Sequence, residues 1–141
     1  MAAHDPRLPE GFRPWGDTDP FEQLVGPFYL RRKNDGTHEA AMMPEPRHCN
    51  AGGMLHGGLL MSFADYALFV IARHALKDDL GVTVTFDSQF IAPARPDAVL
   101  MADGAVVRAT GSLIFVRGAI RQDESTVLTI NGIVKRIRKT L

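Results

Sequence analysis

The stretch that decides the fold is HCNAGGMLHGGLLMSFADYALFVIARHA, residues 48–75. From Gly57 onward, Leu60, Phe63, Ala64, Ala67, Val70, Ile71 and His74 recur at the i, i+3, i+4, i+7 spacing of one helix face. The opposite face holds Ser62, Asp65, Tyr66, Phe69 and Arg73. It is too apolar to be bathed in water, so a helix over 57–75 is expected to be covered on both sides. Residues 54–72 have the length of a membrane span. Gly57-Gly58 and a midspan Asp65, which costs roughly 2.5–3.5 kcal/mol in a bilayer, point instead to a buried core helix.

Outward from that helix the chain reads as strands. Residues 28–33 and 39–44 flank Asn34-Asp35-Gly36, a hairpin signal, and 44–51 is a loop with two prolines. Residues 81–91 alternate Val82, Val84, Phe86 and Phe90 against Thr83, Thr85, Asp87 and Gln89, until Pro93 and Pro96 end the run. Strands are also expected over 99–108, 112–121 and 126–137, joined by hairpin-length turns. Pro20 opens a short helix over 20–25, with Asp19 as N-cap and Gly26 as stop. Strands grouped around one helix imply an α+β fold, an antiparallel sheet of five to six strands wrapped around one long central helix. Residues 1–17 read as a loose, flexible arm ahead of a single domain, 18–141. A sheet of this size leaves part of the helix bare, and a second copy of the chain is the natural cover, so a dimer is expected.

Composition narrows the function. The 141 residues are 45% hydrophobic and 23% charged, with a formal net charge of zero. Zero net charge argues against nucleic acid as the main partner, because phosphate binding needs a positive excess. A single cysteine, Cys49, excludes an intramolecular disulfide framework and fits a cytoplasmic setting. Residues 1–20 have no apolar signal core and carry Asp5, Glu10, Asp17 and Asp19, unlike organelle transit segments.

Two glycine pairs, Gly52-Gly53 and Gly57-Gly58, bracket the helix start. The first N–H groups of a helix lack internal acceptors and carry partial positive charge. They can hold an oxygen that is becoming an anion, at a typical worth of ~3–4 kcal/mol in the transition state. The glycines serve equally well for tight helix–sheet packing. Asp65 is the one charge between Gly57 and Ala72. Its apolar neighbours argue that it is buried, which is costly without partners; it is either a functional carboxylate or a satisfied structural one. Asp65 lies eight residues past Gly57, about 12 Å along the axis. One carbonyl cannot easily touch both, so a shared reaction needs Asp65 of one subunit and Gly57 of another. Asn50 and His56 add polar groups beside the turn. His48, Cys49 and His56 match no zinc spacing, no metal or redox cofactor is expected, and no phosphate loop, dinucleotide fingerprint or serine-nucleophile elbow is present.

Asn50, then His56-Gly57-Gly58, then Asp65, with Pro20-Phe21-Glu22, Gly81-Val82-Thr83-Val84 and Phe90-Ile91-Ala92-Pro93-Ala94-Arg95 around them, resembles the PaaI-like (phenylacetic-acid-type) acyl-CoA thioesterases of the hotdog superfamily. The resemblance implies a hotdog fold for residues 18–141, dimers paired into a homotetramer, and hydrolysis of acyl-CoA with no cofactor beyond the CoA of the substrate. It implies that Asp65 is nucleophile or general base, that the Gly57 N–H is the oxyanion donor, and that Asn50 orients the carbonyl or the water. His56 then supports the turn, and Thr83 stands where the family has a serine or threonine. For substrate it points to Phe90, Pro93, Ala94 and Arg95, and to Thr110, Gly111 and Ser112, along the CoA arm; relatives often have a basic residue where this chain has Ser112. Tyr66 and Phe69 are then expected along the acyl channel. The basic run Lys135-Arg136-Ile137-Arg138-Lys139 reads as a solvated strand end that could reach CoA phosphates. A non-catalytic acyl-CoA binder and a hotdog dehydratase are the alternatives, although no His–Glu or Asp–His arrangement of the latter kind is evident.

Overall fold

The computed structural model describes residues 4–16 and 19–138. Helix α1 is Pro20–Val25, capped by the Asp19 side chain, which accepts from the Glu22 N–H. Strands β1 (Tyr29–Arg32) and β2 (His38–Met42) form the hairpin. A 3-10 turn, Pro46–His48, lies within the stretch expected as an irregular loop. Helix α2, Gly57–Leu76, follows and carries eleven buried residues. Strands β3 (Leu80–Asp87), β4 (Leu100–Ala109), β5 (Leu113–Gln122) and β6 (Ser125–Ile137) complete the chain.

All neighbours in the six-stranded sheet are antiparallel, in the order β1-β2-β4-β5-β6-β3. The sheet wraps α2 as the strand-rich pattern implied. Phe63, Leu68 and Val70 of the helix are fully buried with Leu30, Met42, Leu100, Ile114, Ile120 and Leu128 of the sheet. Truncating such a leucine to alanine typically costs roughly 2–5 kcal/mol. Gly104 of β4 and Gly118 of β5 face each other in register. A Cβ on Gly104 would lie 2.0 Å from the Arg117 carbonyl oxygen, so these strands approach too closely for a side chain there. At the far end of α2, the Arg136 guanidinium donates to the Ala75 and Leu76 carbonyls, an end that otherwise leaves acceptors unpaired.

Two expectations are corrected. The first is the loose arm. Residues 1–3 and 17 lie outside the described residues, but 4–16 are packed. Leu8 and Phe12 are buried against Tyr29 and Ala41, on the sheet face away from α2. Arg13 then pairs with Leu30 on the free edge of β1. Trp15 continues over that edge onto the helix, meeting the Tyr66 ring edge-on at 6.2 Å and lying under the Arg73 guanidinium at 5.1 Å. The cover expected over the second helix face therefore comes partly from this segment. The second correction is β3. The apolar residues of its alternation, Val82 and Val84, are 43% and 47% exposed, whereas Gly81 and Thr83 are partly buried. A register shift between Thr83 and Thr85 changes the phase, and Phe86 is again partly buried.

Candidate active site

The loop before α2 is shaped by Asn50. Its Oδ1 accepts from the Gly52 and Met54 N–H groups at 2.9 and 3.3 Å, while its own N–H donates to the Met54 carbonyl. With the side-chain carbonyl committed to the turn, the amide N–H₂ is the end of Asn50 free to donate outward. Leu55 is held by the Ala94 carbonyl and His56 by the His48 carbonyl. His56 is the N-cap of α2, its Nδ1 accepting from the Gly58 N–H at 2.8 Å. That leaves the Gly57 N–H, at the first helical position, without an acceptor inside the helix. The Phe90 ring packs beside Gly57 on its Cα side: a Cβ there would lie 3.3 Å from Phe90 Cε1.

Two turns further along α2, Asp65 Oδ1 accepts from Thr83 Oγ1 at 2.7 Å. The expectation that Asp65 is buried is corrected: in the single chain it is exposed, because its side of α2 looks past the sheet edge at β3 rather than into the core. Asp65 shares a pocket of about 340 Å³ with Asp19, Phe21, Glu22, Met61 and Ser62. An adjoining pocket of about 470 Å³ shares Phe21 and Ser62 and reaches His56 and Gly58. The two form a groove between α1 and α2.

Glu22 is the residue in this groove that the sequence reading left unassigned. Burial, then the charges of Asp19 and Asp65, push its carboxyl up to about 7. No ion pair or side-chain hydrogen bond holds that carboxyl among the described residues. Its signal in the sequence is ambiguous, since an acid three residues after Asp19 reads as an ordinary first-turn residue. The position of α1 is fixed from its other end. Arg47 donates to the Leu24 and Gly26 carbonyls, and His48 Nε2 bonds the Val25 carbonyl at 2.7 Å. His48 Nδ1 accepts from the Glu45 N–H, so His48 is neutral with its proton on Nε2; burial pushes its pKa down.

Of the expected site residues, the structure joins Asp65 with Thr83, Gly57 with Phe90, and Ala94 with the loop before α2. Asp65 and Gly57 are not joined; they stand at separate stations on one helix, as their spacing implied. Tyr66 does not line the groove. It is 3% exposed, packed against the rings of Trp15 and Phe28, and its hydroxyl has no partner among the described residues. Phe69 packs where a Gly81 Cβ would be, rather than in the groove. The Arg95 guanidinium is engaged by Asp97 and Asp123. Thr110, Gly111 and Ser112 form the β4–β5 turn, in which Thr110 Oγ1 accepts from Leu113 N–H and Arg138 donates to the Gly111 carbonyl. Pro93 is exposed beside Ala94.

Solved structures share this architecture. The chain matches a mutant form of the phenylacetic acid degradation protein PaaI from Thermus thermophilus at TM-score 0.71 and 23% identity, over 84% of this chain and 100% of that one. It matches the Bacillus halodurans protein BH2602, solved with CoA, at TM-score 0.77 and 22% identity, over 91% and 83%. At these identities the likeness is one of fold. The sequence of the inferred esterase PA0474 of Pseudomonas aeruginosa is 30% identical over 127 residues, 89% of this chain and 95% of that one. The thioesterase superfamily pattern matches residues 52–139. With its six-stranded hotdog sheet around α2, this chain belongs to the thioesterase superfamily, and its chemistry is the hydrolysis of thioesters.

Proposed function

We propose that the protein hydrolyses acyl-CoA thioesters and that each active site is assembled from two subunits. The observation that carries this reading is the 2.7 Å hydrogen bond from Thr83 to Asp65. It orients a carboxylate at the rim of the sheet, two helical turns from the Gly57 N–H of its own chain, so the N–H that completes its site comes from another copy. β3 is an edge strand, with Leu80, Val82 and Val84 exposed on it. Such an edge invites pairing with a second copy. Joining two chains there by a two-fold axis would bring Asp65 of each toward the Gly57 end of the other. A dimer of dimers, a cytoplasmic location and independence from any cofactor belong to the same proposal.

In the proposed reaction the thioester carbonyl oxygen rests on the partner's Gly57 N–H, with the Asn50 amide as second donor. Asp65 takes a proton from water as the water oxygen bonds to the carbonyl carbon, or attacks that carbon itself to give an anhydride that water then opens. Negative charge gathers on the oxygen held by the N–H groups. Collapse breaks the C–S bond, and CoA leaves as a thiolate that takes up a proton, so one water is consumed per free acid and thiol. The acyl group lies in the groove along Phe21 and Met61, in place of the Tyr66 and Phe69 contacts expected from the sequence.

Thiol release from a panel of aliphatic and aryl acyl-CoAs tests this directly. Asp65→Asn is expected to keep the fold and lower kcat by ~100-fold or more, the scale of a lost general base. Thiol release at near wild-type rate by the folded variant would remove Asp65 from the reaction, and binding of acyl-CoA without thiol release by the wild type would make the protein a carrier.

A further inference from the structure

We propose that Glu22 is a positioning residue for Asp65: its carboxyl, held across the shared pocket by α1, destabilises the Asp65 carboxylate once ionised and so raises the rate of hydrolysis with pH. This inference rests on Asp65 being the reactive carboxylate.

The geometry has three parts. Glu22 and Asp65 line one pocket, whose apolar wall is made by Phe21 and Met61. The Glu22 backbone is held beside this pocket, because α1 is tied at one end by the Asp19 cap and at the other by Arg47 and His48. The pocket also lacks a counter-ion: Asp65 has a neutral hydroxyl, Thr83, as its partner, and neither carboxyl takes part in an ion pair among the described residues. The groups that face Glu22 are Asp19 from its own cap and Asp65 and Tyr66 from α2. Arg13 and Arg73, farther along, act on the Tyr66 phenol.

The consequence follows from where charge moves. In either form of the reaction the negative charge leaves Asp65 and builds up on the carbonyl oxygen beside the partner's Gly57. A second negative charge next to Asp65 raises the energy of the ground state more than that of the transition state, whose charge lies farther off, and only such a difference changes kcat. When Glu22 is protonated the push is absent. Because burial and its acidic neighbours push Glu22 up to about 7, the change falls in an experimentally open range. Each pK unit of mutual interaction corresponds to a factor of ten, so a step of roughly three- to tenfold in kcat is expected.

The test measures kcat and KM from about pH 5.5 to 9 for wild type, Glu22→Gln and Asp65→Asn. The expected result is a rise in wild-type kcat with a midpoint near 7, absent in Glu22→Gln, which folds and stays at the lower level throughout. A folded Glu22→Gln that keeps the step overturns the proposal. A dead Asp65→Asn beside an unchanged Glu22→Gln profile removes Glu22 alone; a fully active Asp65→Asn removes both. Carboxyl-carbon NMR reads the same coupling without turnover. The Glu22 midpoint should fall when Asp65 becomes asparagine, and an unmoved midpoint refutes the interaction.

Discussion

Thr83 supplies the one side-chain hydrogen bond that Asp65 receives among the described residues, and it does so from the first half of an edge strand. Water competes for both partners of so exposed a bond, which adds little net to folding but fixes where the carboxylate points. Thr83→Val keeps the shape and removes the donor. It is expected to lower kcat by roughly ten- to a hundredfold at nearly unchanged melting temperature; steady-state kinetics beside a thermal melt check it, and an unaltered kcat would make the bond ornamental to the reaction. At this scale the sequence was legible where chemistry and position coincide. Asp65 stood out as the lone charge between Gly57 and Ala72, and Gly57 as the first N–H. It was illegible where a residue has an ordinary second meaning. Glu22 reads as a first-turn acid, and Tyr66, next to Asp65, reads as a channel residue. Only the path of residues 13–16 over the helix reveals that its ring is shut in.

The elements differ in how their boundaries are set. Helix α2 begins at the predicted glycine and runs one residue beyond the expected end, because its period and its cap are both local. β3 ends at Asp87, short of the expected residue 91: Phe90 keeps the alternation but makes only an isolated bridge with Leu128. The 3-10 turn at Pro46–His48 depends on contacts that lie far away in sequence, with Val25 and Gly26. That turn also carries a pH dependence. His48 has a depressed pKa, so between its folded value and the ordinary 6.5 the unfolded chain binds more protons. Stability from His48 is therefore present above about 6.5 and is lost as pH falls. Protonation would put a proton on Nδ1, facing the Glu45 N–H. Glu22 acts in the opposite sense, its raised pKa giving stability that is present below 4.5 and lost as pH rises through about 7. The two are separated by comparing wild type with His48→Gln. The melting temperature of the wild type should exceed that of the variant at about pH 7.5, and the gap should narrow at about pH 5; a constant gap would show that His48 does not titrate in this window.

For the whole molecule, the separation of Asp65 from Gly57 predicts complementation between two dead chains. Gly57→Pro removes the N–H at a position where proline is tolerated, and His56 before it already has φ −66° and ψ 138°, which suits a residue preceding proline. Asp65→Asn and Gly57→Pro should each be inactive alone. Co-expressed, random pairing gives half heterodimers with one intact site of two, so roughly a quarter of wild-type activity is expected. No recovery in verified heterodimers would place both groups in one subunit's site. The same chain has one tryptophan, Trp15, and the fold puts it at the point where the amino-terminal segment crosses from the sheet to α2, 38% exposed between Tyr66 and Arg73. Its fluorescence is therefore a built-in optical gauge of that crossing alone, while circular dichroism follows the sheet. If the crossing lets go before the sheet melts, the two unfolding curves will part, and the span between them measures how much of the molecule's cohesion lies outside its core.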